Sequence, residues 1–342
     1  MRSVPLGKTG ITISEIGFGG IPIIRVNTAN SIKILQHAYD QGITFYDTAN
    51  LYRDSEDKIG QAFAGKRQNV IIATKTIKRD AQSALEQLEN SLRMLRTDYI
   101  DLYQMHQVAQ ERDYDAALAP GGAYEALLKA KEQGKIRHIG VTSHSLTMAI
   151  QLVKTDLFST IQFPFNFIED AAKDELHVEA KKRNIAVLAM KPFAGGVIDN
   201  AAVAFAFLRQ YPDVIPLAGF DSIESVDEII AIYRQENRVT QRDLEIMDEY
   251  RAKLGKQFCR RCEYCQPCPN GVLITPAMGY KLLVSRMSPA VAADFAKVVM
   301  ESVPLCTECG DCISRCPYEL PIPEMLKEHY ALYKLHCGKQ TI

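Results

Sequence analysis

Short apolar runs rich in β-branched residues alternate with amphipathic stretches over most of the chain. The strand-like runs are Ile16–Gly19, Ile43–Asp47, Val70–Lys75, Tyr99–His106, Ile136–Ser143, Thr160–Asn166, Ile185–Lys191 and Val214–Gly219. Between them, apolar positions recur at helical spacing. Leu85, Leu88, Leu92 and Leu95 line one helix face, and Tyr124, Leu127 and Leu128 mark another helix that Gly134 stops. Strands that each lead into a helix, repeated through about 250 residues, predict a parallel (β/α)8 barrel of the TIM type. A doubly wound sheet is the competing arrangement, but no strand leads into a GxGxxG turn.

The last helical pattern of this series runs from Leu244 to Leu254. Beyond Gly255 the composition changes to Cys, Pro and Gly, then a helical insert over Ala290–Glu301, then Cys and Pro again. The expected organisation is therefore a barrel over 1–255 and a small domain over 256–342, a division that suits 342 residues.

Charge changes the picture little. Forty Lys and Arg face 41 Asp and Glu, which gives no reason to expect nucleic acid or an acidic membrane surface as partner. The opening MRSVPLGKTG has no apolar core of a signal peptide, and no apolar run reaches the ~18 residues of a membrane span. The expectation is a cytoplasmic protein without a membrane segment.

The nine cysteines change it a great deal, because none precedes Cys259. Without an export signal a disulfide framework lacks its oxidising compartment, so cysteines crowded into a tail point to metal. The first run is Cys259-x-x-Cys262-x-x-Cys265-x-x-Cys268-Pro269 and the second Cys306-x-x-Cys309-x-x-Cys312-x-x-x-Cys316-Pro317. Three cysteines at three-residue spacing can wrap one face of a cubane, and the fourth ligand comes from a Cys-Pro in the other run. Zinc is the alternative, since CxxC pairs also suit a tetrahedral ion, but zinc needs two pairs per site rather than two runs of four. The second run matches the bacterial-ferredoxin pattern in full, while the first has one residue fewer before its Cys-Pro. That resemblance implies two [4Fe–4S] clusters. One takes Cys259, Cys262, Cys265 and Cys316; the other takes Cys306, Cys309, Cys312 and Cys268. Cys337 has no partner run.

Active sites of such barrels lie at the C-terminal ends of the strands. Asp47, Lys75 and His106 end three consecutive strand-like runs, and Tyr52 follows Asp47 in the next loop. Each alone reads as a solvated charge or a satisfied loop residue. Together they suit carbonyl chemistry: a tyrosine as proton donor, an ammonium to lower its pKa, a carboxylate to hold the ammonium, and a neutral histidine to orient the carbonyl.

The segments Phe45-Tyr-Asp-Thr-Ala-Asn-Leu-Tyr52, Ala73-Thr-Lys75 and Leu102-Tyr-Gln-Met-His106 resemble the aldo-keto reductase signatures around the catalytic Asp, Tyr, Lys and His. Leu6-Gly-Lys-Thr-Gly10 resembles the family's N-terminal hairpin, and Gly134-Lys-Ile-Arg-His-Ile-Gly-Val141 its fifth strand. With the cysteine runs, the chain resembles the subgroup carrying a C-terminal ferredoxin-type domain. The resemblance implies hydride transfer between NADH or NADPH and a small carbonyl or alcohol. It also implies cofactor contacts: Ser143, His144 and Gln162 on the carboxamide, Phe165 stacked on the nicotinamide, Lys191 and Pro192 near the pyrophosphate, and Gly219, Phe220, Asp221 and Ser222 at the adenosine phosphate end. The loop Gly219–Val226 holds no Lys or Arg but does hold Asp221 and Glu224, which favours NADH over a 2′-phosphorylated cofactor.

Two functions compete, and a third reading gives the clusters only a structural role in folding the tail. One is an oxidoreductase whose clusters link it to a one-electron carrier protein. The other is an electron-transfer or redox-sensing protein whose barrel binds cofactor with little turnover. The Asp-Tyr-Lys-His set favours the first. A bound flavin would couple two-electron and one-electron steps, although no flavin-specific motif is present.

Overall fold

The computed structural model describes residues 1–254, 257–284 and 288–337. The chain divides into two units, Met1–Leu244 and Glu245–Ile342. The division falls inside a helix, Gln241–Leu254, ahead of the change in composition. Packing rather than composition sets it, and Gly255, where the sequence places the boundary, lies outside the described residues.

The first unit begins with an antiparallel hairpin of β1 (Ser3–Pro5) and β2 (Thr12–Ser14). Eight parallel strands follow: β3 (Gly17–Gly19), β4 (Phe45–Asp47), β5 (Ile71–Thr76), β6 (Ile100–Met105), β7 (Ile136–Thr142), β8 (Thr160–Pro164), β9 (Ala186–Met190) and β10 (Val214–Gly219). They close in sequence order, β10 pairing with β3. Each lies within one of the eight apolar runs apart from a residue or so at the ends, as expected when a parallel strand is covered on both faces. β6 is buried at every position.

The helices of this unit are α1 (Thr28–Asp40), α2 (Ser55–Ala62), α3 (Ala81–Met94), α4 (Glu111–Leu118), α5 (Ala123–Glu132), α6 (Leu146–Lys154), α7 (Leu176–Lys182), α8 (Ala201–Leu208), α9 (Ile223–Tyr233) and the start of α10 (Gln241–Leu254). Asn27, Asp80, Ser145, Asn200 and Ser222 cap five of them by accepting a backbone N–H three residues on. α3 buries Leu88 and Leu92 as its spacing predicts, with Leu95 buried just after it. In α5 the buried stripe is Ala123, Ala126, Leu127 and Ala130, whereas Leu128 faces solvent. Small residues permit closer packing on that side than a leucine ridge would.

The hairpin plugs the N-terminal end of the barrel. Leu6 and Ile13 pack into the core with Phe45, Ala73, Leu102, Leu188 and Leu217. Gly7 has φ of 54°, and a Cβ there would stand 2.6 Å from the Ala186 nitrogen. Only glycine fits so close an approach in that conformation. With this end filled, the opening lies at the C-terminal ends of the strands.

In the second unit the described residues form helices and loops. α11 (Ile274–Met278), α12 (Tyr280–Val284), α13 (Pro289–Met300), α14 (Asp311–Ser314) and α15 (Ile322–Cys337) surround a core that includes Ala277, Tyr280, Met300, Val303 and Leu326. Cys265 and Cys312 are buried in that core. α13 is the helical insert expected between the cysteine runs. Among the described residues no helix is long and apolar enough to cross a membrane.

Candidate active site and cysteine centres

β4, β5 and β6 bring the four residues named from the sequence to one mouth. Lys75, inside β5, donates from Nζ to Asp47 Oδ2 at the end of β4 over 2.7 Å and to the Thr48 carbonyl over 2.5 Å. Both side chains are buried. The Tyr52 ring stands edge-on to the His106 imidazole, centroids 5.7 Å apart, and the Lys75 ammonium is 5.2 Å from the Tyr52 centroid.

Burial pushes the Asp47 carboxyl up and the Lys75 ammonium down, and their mutual charge opposes both shifts. Two amides help to hold the carboxylate. Gln104 Nε2 donates to Asp47 Oδ1 over 3.0 Å and Gln162 Nε2 to Oδ2 over 3.4 Å. Gln104 was not singled out from the sequence. Strand alternation is the signal that finds it, because it lies two residues before His106 and so on the same side of the strand. It is also the register partner of Lys75.

The expected lowering of the Tyr52 pKa is not what the site produces. Burial, followed by the Asp47 carboxylate, pushes the phenol up. Asp47 offsets the lysine charge, so Tyr52 stays a protonated phenol rather than a phenolate. His106 is held well below the ordinary histidine range by burial, then by Lys75 and Arg79. It is neutral, and its buried Nδ1 has no hydrogen-bond partner among the described residues.

The residues expected around a nicotinamide divide into several groups. Gln162 is at the mouth, but its amide bonds Asp47 and accepts from Gln104 over 3.2 Å. The Ser143 hydroxyl is turned onto the Ser145 backbone, donating to its carbonyl and accepting from its N–H at 3.1 Å each. His144 and Lys191 are half-buried at the ends of β7 and β9. Phe165, expected to stack on the nicotinamide, is turned into the apolar packing beside the barrel mouth. Its side chain is fully buried and packs against His177, Phe207 and Tyr211, with centroids at 4.4, 5.4 and 4.9 Å. Phe220 is likewise buried against Phe18, 5.1 Å between centroids, and leaves only its backbone to a ligand. Gly219 ends β10, Asp221 is exposed, and the Ser222 hydroxyl caps α9. In both aromatic positions apolar packing turns the ring inward.

In the second unit the two cysteine runs interleave. Cys268 joins Cys306, Cys309 and Cys312 in lining one small cavity. Cys316 lies close enough to Cys262 and Cys265 for its sulfur to raise both thiols, though burial is the larger cause. Burial pushes Cys265 up to about 11 and Cys259 up to about 12. Among the described residues no three His, Cys, Asp or Glu side chains are grouped as one metal ion requires. A soft, all-thiol donor set exchanged between two runs fits cubanes, whose four irons spread the ligands apart. Cys337, the last residue of α15, is exposed and belongs to neither group.

A closed parallel barrel with an Asp-Tyr-Lys-His mouth, followed by a cysteine-rich unit, defines a TIM-type barrel joined to a ferredoxin-type module. Residues 15–204 match the model of the aldo/keto reductase family, and residues 258–320 match a 4Fe-4S dicluster domain. The chain belongs to the aldo/keto reductase family and carries a C-terminal 4Fe-4S domain. It is 34% identical over 218 residues to the aldo-keto reductase YhdN of Bacillus subtilis, covering 58% of this chain and 64% of that one. It is 30% identical over 212 residues to the uncharacterized oxidoreductase YqkF of the same organism, covering 58% and 67%. The chain thus spans less than two thirds of YhdN. Among solved structures, the holo form of an aldo-keto reductase from Bacillus halodurans superposes with a TM-score of 0.63 at 22% identity, over 73% of this chain and 96% of that one. An aldo-keto reductase from Klebsiella pneumoniae in complex with NADPH gives 0.59 at 23%, over 72% and 94%. These two share the fold.

Interleaved ligation predicts close to eight iron and eight acid-labile sulfide per anaerobically purified chain, as two cubanes require. Cys268→Ala should damage the centre built on Cys306, Cys309 and Cys312, and Cys316→Ala the centre built on Cys259, Cys262 and Cys265, as read by iron content and electron paramagnetic resonance. Loss of the local centre in either variant, or zinc without sulfide, would refute the arrangement.

Proposed function

We propose that the barrel catalyses nicotinamide-dependent interconversion of a carbonyl and an alcohol, and that the second unit holds two [4Fe–4S] clusters that exchange single electrons. The observation that carries the barrel reading is the buried Lys75–Asp47 pair beside Tyr52 and a neutral His106 at the strand ends. A reduced nicotinamide, when bound, supplies the hydride to the carbonyl carbon. Tyr52 gives its proton to the carbonyl oxygen, leaving a tyrosinate that solvent reprotonates. Lys75, held by Asp47, faces the charge that develops on Tyr52, and the neutral His106 donates to the carbonyl oxygen and fixes its orientation. In alcohol oxidation the same proton moves in reverse. The clusters, when present, supply one-electron carriage through thiolates from both runs.

Removing the Tyr52 hydroxyl tests the chemistry. Tyr52→Phe should lower carbonyl reduction by about 10²–10⁴-fold, the usual worth of a positioned acid, while nicotinamide affinity changes little. Near-normal turnover in the variant would eliminate Tyr52 as the donor.

For cofactor choice, the loop from Gly219 to Val226 presents the carboxylates of Asp221 and Glu224 and no cation. A 2′-phosphate would meet repulsion there. NADH should therefore bind more tightly than NADPH in a fluorescence titration, and the opposite order would overturn this preference.

Hydride transfer moves an electron pair, whereas a cluster accepts one electron. The barrel residues offer no device to split the pair. NADH alone, in flavin-free protein without oxygen, should not bleach the visible absorption of the clusters at a catalytic rate. A ferredoxin-like protein or a strong one-electron donor should bleach it readily. Fast bleaching by NADH alone would reveal direct coupling.

A further inference from the structure

Arg79, in the loop after β5, lies outside the Asp-Tyr-Lys-His set, yet its guanidinium is built into the support of His106. Nη2 donates to the carbonyls of His106 and Gln107 over 2.7 and 3.1 Å, and Nη1 donates to the Ile77 carbonyl over 3.0 Å. The same turn is held from its other sides. The His106 N–H donates to the Thr76 carbonyl over 2.8 Å, and the Gln107 N–H donates to Thr142 Oγ1 over 2.9 Å. Gln107 sits at φ of 57°, a conformation uncommon for a residue with a side chain. Tethers from two neighbouring strands keep it there.

We infer that Arg79 is a positioning residue for the barrel reaction, fixing the turn that presents His106 and setting a permanent positive charge beside its imidazole. The inference rests on the catalytic reading of His106. The charged and titratable groups around that ring are Lys75 from β5, Arg79 from the loop after it, Tyr52 from the loop after β4, and Asp113 of α4, whose carboxylate is 4.0 Å from Arg79 Nε. Burial disfavours the imidazolium most, and the two cations add to this. A charge on Arg79 therefore lowers the pH at which His106 takes up a proton, and its removal must raise that pH.

The test is the pH dependence of kcat/KM for an aromatic aldehyde with the nicotinamide the protein binds. The wild type should run without a His106 inflection through the ordinary histidine range. Arg79→Gln should move the His106 titration upward from its wild-type position, and the double variant with His106→Gln should show no such titration. Arg79→Lys keeps the charge but not the bridging geometry, so it should lower kcat/KM severalfold while its profile keeps the wild-type shape. It also covers the case in which Arg79→Gln does not fold. Titration of the histidine ring resonances by NMR reads the same displacement without turnover, and so separates this inference from the catalytic reading. If Arg79→Gln shows the wild-type His106 titration, or Arg79→Lys shows a displaced one, Arg79 does not act on His106 by charge.

Discussion

The mouth of the barrel depends on one ion pair, Lys75 to Asp47, 2.7 Å long and buried on both sides. Removing two opposite charges from water costs several kcal/mol per ion, and the pair alone does not reliably recover it. The Thr48 carbonyl and the amides of Gln104 and Gln162 complete its hydrogen bonding. Loss of either charged partner would leave a buried charge unpaired, typically a loss of about 3–5 kcal/mol. The structural demand and the proposed chemical demand therefore coincide. A fixed, desolvated ammonium can respond to charge forming on Tyr52 only where water does not screen it.

The same pair explains why Tyr52 behaves differently from the simple expectation. An isolated ammonium would favour the phenolate, but one already matched to a carboxylate leaves burial to dominate. The tyrosine is thereby kept protonated, the state its proposed role as proton donor requires. His106 follows the same logic with the opposite sign: burial and two cations keep it uncharged, as its proposed role of oriented donor requires.

The second unit depends on a different constraint. Its apolar core includes Cys265 and Cys312 themselves. Burial keeps several of the thiols protonated, and ligation to iron requires them as thiolates. In the proposed reading metal binding and folding are coupled, and the buried cysteines serve as both core and ligand. The two units are each built by their own physical rule: closure of a sheet in the first, interleaving of two cysteine runs in the second.

By itself the sequence determined the alternation of strand and helix, the eight strand positions, the mouth residues Asp47, Tyr52, Lys75 and His106, and the two cysteine runs. These are short-range patterns: periodicity, strand ends and fixed spacing. Only the tertiary structure decided where side chains with distant partners point. Phe165 and Phe220 carry no mark in the sequence of whether they face a ligand or the core, and packing against Phe207 and Phe18 took them inward. Gln104 reaches a carboxylate 57 residues away, and Arg79 a carbonyl 27 residues away. Leu128 looked like core by spacing, yet the stripe of alanines on α5 allowed the closer approach and left it in solvent. Each of these outcomes required strands far apart in sequence to lie side by side, because barrel closure and register, not local composition, set the distances over which a buried charge finds its partner.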